Sequence, residues 1–408
     1  MAAASPTSAK RTGQGASGSL AALILVVLVG MIGFGVFLPI FPFLALHLGA
    51  TATEATIAMG AYSFGQLIAS PFWGRLSDRI GRKPVLVVGL VGASASYCLL
   101  AHANSVEMLG LARLFGGLMA GNIGAAFAAA TDLADDRTRA RNMGLLGASF
   151  ALGFIVGPAI GAALVGPEAT AEGFRRVCFA AAAFAMLAAV GAFLFFRETL
   201  PAEARRSREA PRISRMKLLR ERPALLQLIL VTLLMITAQA LMESTFGLWA
   251  GAALEWGPRE VGWAFTGLGV MTVLLQGGGA GALARTLGEW RVMLVGLGLF
   301  AVGFVMLALA RTPLHAAVTL GVLAIGAGMA TPSLNSLIGA QSTEADRGVV
   351  MGINQSASAL GRVLGPAVAG IIFDGLGHWA PFAIGAVILV GALALASATR
   401  AEKPSVAG

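Results

Sequence analysis

The 408-residue chain is 57% apolar and only 12% charged, and its mean hydropathy of +0.81 excludes an ordinary globular surface, which needs more charge to be solvated. A formal net charge of +9 raises nucleic acid as a partner, but the basic residues are scattered over short loops and one linker rather than gathered into a stripe, so no nucleic acid is expected. Cys98 and Cys178 both fall inside apolar runs, where a thiol is a small apolar filler, so neither a disulfide framework nor a metal site is indicated.

Residues 1–18 are polar and rich in Ser, Gly and Ala, and are expected to form a disordered tail. Twelve apolar segments follow, at about 20–47, 55–74, 84–102, 108–131, 142–165, 177–196, 224–250, 261–283, 292–310, 316–338, 349–373 and 381–399. Each approaches or exceeds the roughly 20 residues that a helix needs to cross a bilayer core. Lipid leaves the backbone few alternatives to helix. The first segment is longer than the apolar part of a signal peptide and is read as a retained span.

With both termini placed on the cytoplasmic side, the outer loops hold only Arg175, Arg176, Arg259 and Arg311. Arg113 and Arg362 lie within spans, and every other Lys and Arg falls inside, which is the distribution that orients a multi-pass protein. The domains expected are a cytoplasmic tail (1–18), a six-helix bundle (19–196), a cytoplasmic linker (197–223), a second six-helix bundle (224–399) and a tail (400–408). Within the linker, Met216 to Arg222 has the composition of a short interfacial helix.

The loop between the second and third spans, Gly74-Arg75-Leu76-Ser77-Asp78-Arg79-Ile80-Gly81-Arg82-Lys83-Pro84, is dense in charge. Gly74 and Gly81 allow close helix approach and a tight reversal, while Asp78 and Arg82 sit within a turn of helix ends, where an acid and a base can exchange partners. Asp132, closing the fourth span, is the mate expected for Arg82. Alternatively these charges only set topology and solvate a turn.

Both halves share a pattern at one constant offset: Arg139, Gly144, Gly153, Gly157 and Pro158 return as Arg347, Gly352, Gly361, Gly365 and Pro366. Gly74 and Gly81 return as Gly281 and Gly288, with Arg285 where an acid would be expected, so no equivalent charge cluster is expected there. Parallel six-helix repeats imply two bundles able to rock about a central cavity.

Intramembrane charge is expensive and seldom placed without use. Well inside spans lie Arg113, Glu243 and Arg362. Glu243, the sole carboxylate among them, is the expected proton carrier. Arg113, at similar depth, is expected to act on it, and Arg362 to attract an anionic substrate or pair with Glu243. Permanent capping or pairing is the structural alternative for both arginines. Polar and aromatic groups expected at the cavity are Gln66, Asn122, Gln239, Phe246, Trp249, Gln276, Asn335, Asn354 and Gln355; each is otherwise an interhelical or packing contact. Few polar anchors among apolar walls suit a bulky amphiphile better than a sugar. The four histidines, His47, His102, His315 and His378, map to outer span ends, as pH sensors or as interfacial polar residues.

With these motifs in view, the chain resembles the major facilitator superfamily, and within it the twelve-helix drug:proton antiporter group that includes tetracycline efflux proteins. The likeness runs from about residue 20 through nearly the whole chain. Gly74 to Lys83 matches the signature between helices 2 and 3, and Gly153-Phe154-Ile155-Val156-Gly157-Pro158-Ala159-Ile160-Gly161 is similar to the antiporter motif of helix 5. Arg113-Leu114-Phe115-Gly116-Gly117 is similar to the helix 4 motif, with Gly116 in place of the usual Gln.

The resemblance implies an all-α membrane fold and alternating access. It makes Gly74, Asp78, Gly81, Arg82, Lys83 and Asp132 a conformational latch, and Gly153, Gly157, Pro158, Gly161, Gly361, Gly365 and Pro366 a hinge at the bundle interface, the alternative being generic membrane packing. It further implies a monomer in the inner (plasma) membrane that exports a small lipophilic or amphiphilic compound in exchange for protons, with a proton gradient and no cofactor, and not an enzyme. Tetracycline exporters carry acids in helices 1, 3 and 9, whereas 20–47, 85–101 and 292–310 here contain none, so the resemblance does not extend to tetracycline as substrate. The second expectation is a sugar or organic-anion carrier of the same fold, as exporter or proton symporter. A receptor or membrane enzyme is the third.

Overall fold

The apolar segments fold as helices whose ends are closed by local chemistry. The computed structural model describes residues 13–134, 138–166, 170–200, 215–275, 280–343 and 346–398. In chain order the helices are α1 (Gly13–Phe37), α2 (Phe41–His47), α3 (Ala52–Ile80), α4 (Arg82–Ala101), α5 (Val106–Leu118), α6 (Asn122–Asp132), α7 (Arg139–Val165) and α8 (Ala171–Phe195). They continue as α9 (Arg215–Glu221), α10 (Pro223–Leu254), α11 (Pro258–Leu274), α12 (Ala280–Leu287), α13 (Glu289–Leu309), α14 (Pro313–Ala340), α15 (Arg347–Leu376) and α16 (Ala380–Ala398). No strand occurs among the described residues.

Each of the twelve expected spans maps to one helix or to two: α1 with α2, α5 with α6, and α11 with α12, between which residues 276–279 lie outside the described residues. Ten stretches of the described residues are long and apolar enough to cross a membrane. The other two spans are α3, which carries the charges of the basic loop at its end, and the 17-residue α11 with α12. The helix begins at Gly13, inside the stretch expected to be disordered, because the apolar run that follows carries the cost of nucleation. The expected interfacial helix is α9, with Leu218 buried and Met216 exposed. Residues 1–12, 201–214 and 399–408 of the expected tails and linker lie outside the described residues.

Four of the helices entering from the end away from the basic loop start on hydroxyl caps. Thr51 and Glu54 form a capping box for α3, and Ser105, Thr170 and Thr312 accept backbone N–H groups at the starts of α5, α8 and α14. The breaks at α1/α2 and α5/α6 have local origins or partners. Pro39 and Pro42 interrupt α1/α2, and at the α5/α6 break the Trp73 indole donates to the Leu118 carbonyl at 2.6 Å, as a freed backbone oxygen in lipid requires.

Two helical halves have separate cores. In the first, α1 lies against α7 and α8, α3 against α5, and α4 against α8; in the second, α10 lies against α15 and α16, and α13 against α14 and α16. Phe37, Phe41 and Phe174 are buried in the first half, and Phe300, Phe304 and Phe382 in the second. The halves meet chiefly along two crossings, α3 with α15 and α7 with α11, and α10 also touches α2 and α3.

Candidate functional site

The contacts between the halves run from the middle of the spans to the end away from the basic loop. A Cβ on Gly60 of α3 would lie 3.1 Å from Pro366 of α15. A Cβ on Gly262 of α11 would lie 3.0 Å from the Pro158 carbonyl of α7. The two prolines thus occupy equivalent places in the repeat, each against a glycine of the opposite half. At the far end Thr53 donates its N–H (2.8 Å) and its hydroxyl (2.6 Å) to one carboxylate oxygen of Asp374. Toward the basic end, a Cβ on Gly74, Gly144, Gly147, Gly348 or Gly352 would meet nothing within 4 Å, and Phe72 and Met351 are exposed.

The glycines of the expected hinge point elsewhere. Gly153, Gly157 and Gly161 face Met31, Gly35 and Val36 of α1, within their own half, and Gly361 and Gly365 face Leu233, Thr237 and Leu241 of α10. They thin the helix pairs from inside, as small residues do in lipid. Pro158 and Pro366 are the members of the motif at the interface between halves.

Well inside α10, Glu243 accepts a 2.8 Å hydrogen bond from Gln239 one turn earlier. Arg362 of α15 lies within electrostatic range of Glu243 and of Tyr62 of α3, and makes no ion pair among the described residues. Arg113 of α5 is not the arginine within range of Glu243. It is 4% exposed and sits over three rings of its own half, Tyr62 at 4.6 Å, Phe41 at 5.5 Å and Phe37 at 5.7 Å.

Of the remaining cavity residues, Phe246 and Trp249 are each 1% exposed and pack edge-on against Phe265 and Phe382 in the second core, so they are structural rings rather than cavity walls. Asn122 lines a small pocket within the first half, with Val27, Met31 and Leu86. Asn354 donates to Asn335 at 3.0 Å within the second half. Gln355 is exposed, on the α15 face that carries Arg362 and Pro366, and Gln66 is half-buried on α3. Gln276 lies outside the described residues.

At the basic end, Arg82 is 4% exposed and pairs with Asp78 at 2.7 Å and Asp132 at 3.0 Å, with a further bond to Ser77. The expected cluster is therefore assembled, inside one half. Gly74 makes no close helix contact, whereas Gly81 is needed twice: its φ is +108° and a side chain there would run into Glu198. Glu198, which the sequence reading missed, accepts the backbone N–H groups of Arg82 (2.9 Å) and Lys83 (3.1 Å) and so caps α4. Its signal was a lone acid just past the sixth span. The Lys83 ammonium lies 5.5 Å over Phe193. In the second half Arg285 is exposed without an ion pair among the described residues, and a different clamp stands at that end: Arg222 bonds Asp346 at 2.6 Å and the Gln341 carbonyl at 2.9 Å. Burial opposes the Asp346 charge, but the Arg222 and Thr343 hydrogen bonds outweigh it and hold the carboxyl below its usual value.

Comparison with known proteins accounts for this arrangement. The family model described as Major Facilitator Superfamily matches twice, over residues 23–252 and 228–408. The chain belongs to the major facilitator superfamily. Among its relatives in that superfamily, the class D tetracycline resistance protein of Salmonella ordonez is 31% identical, over 86% of this chain and 88% of that protein. Multidrug resistance protein 2 of Bacillus subtilis (strain 168) is 27% identical, over 90% and 92%. Among solved structures, the human organic anion transporter MFSD10 (TETRAN) is similar with a TM-score of 0.69 at 24% identity, over 93% of this chain and 99% of that one. A bacterial homologue of the human lysosomal transporter Spinster reaches 0.77 at 16%, over 94% and 96%. The protein is thus a multi-pass membrane transporter for a small molecule, built on the superfamily fold, and not an enzyme.

Proposed function

We propose that this transporter exports a small amphiphilic compound in exchange for protons, with Glu243 as the proton carrier. One observation carries the reading: the carboxylate within a span among the described residues is bonded to Gln239 and lies within electrostatic range of Arg362, whose charge also reaches Tyr62 of the opposite half. A carboxylate at that depth is costly when charged and gains from a proton or a cationic neighbour, which gives two states for a coupling cycle. The tetracycline and multidrug resistance proteins among its relatives support an amphiphilic cargo.

The basic end is read as cytoplasmic, from the distribution of Lys and Arg, with both termini on that side of an inner (plasma) membrane. The closed outer end and the separated basic end then correspond to an inward-facing form of a monomer. Two six-helix halves, 19–196 and 224–399, rock about the linker 197–223, while Asp78, Arg82 and Asp132 act as the latch of the opposite form.

Arg362 favours a second reading, an organic-anion carrier of the same fold, because it holds a positive charge between the halves without an ion pair among the described residues.

Everted vesicles energised to acid inside test the first reading with a panel of dyes and drugs. Addition of a transported compound is expected to release protons, and Glu243→Gln to abolish that release while leaving binding of the compound intact. Full proton-coupled exchange by Glu243→Gln would overturn the assignment. Uptake of a labelled aromatic carboxylate that is lost in Arg362→Gln would instead select the anion carrier.

A further inference from the structure

Arg113 is a buried cation whose Nε has no hydrogen-bond partner, and among the described residues it has no carboxylate beside it. A charge at such depth is costly unless something offsets it. What surrounds it is aromatic. The nearest ring is Tyr62, at 4.6 Å, closer than Phe41 or Phe37.

The reason Tyr62 reaches it is local. Arg113, Gly116 and Gly117 share one face of α5, being three and four residues apart. A Cβ on Gly117 would run into the Tyr62 backbone carbonyl, and one on Gly116 would meet the Ser96 side chain and come within 3.6 Å of the Tyr62 ring. Ser96 is itself fixed by a 2.7 Å bond to the Ala112 carbonyl. The paired glycines therefore let α3 settle on α5 with the Tyr62 ring under the guanidinium. A long side chain at 116, such as the Gln of the related motif, has no room there.

Phe37 and Phe41 are each 1% exposed in the core of the first half, whereas Tyr62 is half-buried. Its helix also makes the Gly60 contact to Pro366 of the opposite half. Tyr62 thus touches the buried charge and rides on the element that crosses between halves. We propose that Tyr62 is the positioning residue of Arg113, holding the guanidinium by a cation–π contact in the space that Gly116 leaves free and tying it to the α3–α15 crossing.

The test uses the purified full-length transporter with phenylalanine, then phenylalanine bearing one, two and three ring fluorines, installed at position 62. Fluorine drains the ring face of electron density at nearly constant volume. Tyr62→Phe is expected to retain the Tm within about a degree, and successive fluorines to lower it stepwise, by roughly 2–4 °C in all. In an Arg113→Gln background the series is expected to be flat. The ¹⁹F resonance of the monofluoro protein should move in Arg113→Gln and in Gly116→Gln alike. A flat series in the native background would overturn the proposal, as would a resonance indifferent to Gly116→Gln. Should Arg113→Gln fail to accumulate, the native-background series and Gly116→Gln still decide the matter.

Discussion

Asp374 of α15 accepts two hydrogen bonds from Thr53 of α3, at 2.8 and 2.6 Å, and so joins the two halves at the end away from the basic loop. A carboxylate at the N-terminus of α3 also meets the positive end of that helix. Close backbone approach makes the contact possible, since Gly370 lies against Ala52, Thr53 and Thr56. Asp374→Ala is therefore expected to loosen this closure. A cysteine placed at Thr56, which is 1% exposed, should react with a membrane-impermeant maleimide roughly three- to tenfold faster in that background. An unchanged rate would show that the closure does not depend on the pair.

The cluster at the basic end separates stability from motion. Arg82 is buried and pairs with Asp132, itself 13% exposed, while Asp78 is 47% exposed. Arg82→Ala strands a partly buried acid and is expected to lower Tm by roughly 5 °C. Asp78→Asn should leave Tm within about a degree yet slow transport severalfold. Melting curves beside a transport assay distinguish the two, and wild-type flux in Asp78→Asn would count against the latch.

Gly81 admits no side chain. Its φ of +108° and the Glu198 carboxylate beside it make Gly81→Ala cost about 1–2 kcal/mol or more, by backbone strain and by loss of the cap on α4. Glu198→Gln keeps the geometry and should cost less. Comparable melting temperatures for Gly81→Ala and the native protein would refute this account.

The Arg222–Asp346 clamp carries a pH signature. Asp346 titrates below its ordinary value near 3.8 despite burial, because the Arg222 and Thr343 hydrogen bonds favour its charge. A depressed carboxyl gives stability that is complete above the unfolded value and lost as pH falls through the folded one. Asp346→Asn is thus expected to lower Tm by roughly 3 °C at neutral pH, with the gap to the native protein closing once the pH drops below the unfolded value. A gap that persisted unchanged in acid would show that the ion pair is not its source.

Much of the candidate site was legible in residue types. Glu243, Arg113 and Arg362 stand out because charge is rare in apolar runs, and Asp132 followed from its place at a span end near Arg82. Phe246 and Trp249 misled because a membrane helix is apolar all round: core, lipid and cavity faces carry the same residues. Tyr62, Glu198 and the Thr53–Asp374 pair were illegible for another reason. Each acquires its role from a partner far away in the chain, and neither hydropathy nor local spacing marks such a pairing.

By itself the sequence determined twelve spans, a basic end, a duplicated half and the short list of buried charges, since length, hydropathy and Lys/Arg placement follow from the cost of polar groups in lipid. Only the tertiary structure decided which face of each helix looks where. It turned Gly153 and Gly157 inward to α1 and left Pro158 and Pro366 at the crossing, and it set Arg362 rather than Arg113 within electrostatic range of Glu243. The physical reason is that lipid tails are as apolar as a protein core, so burial imprints no amphipathic stripe, and helix rotation is settled by close packing and by the few polar contacts that neighbours provide.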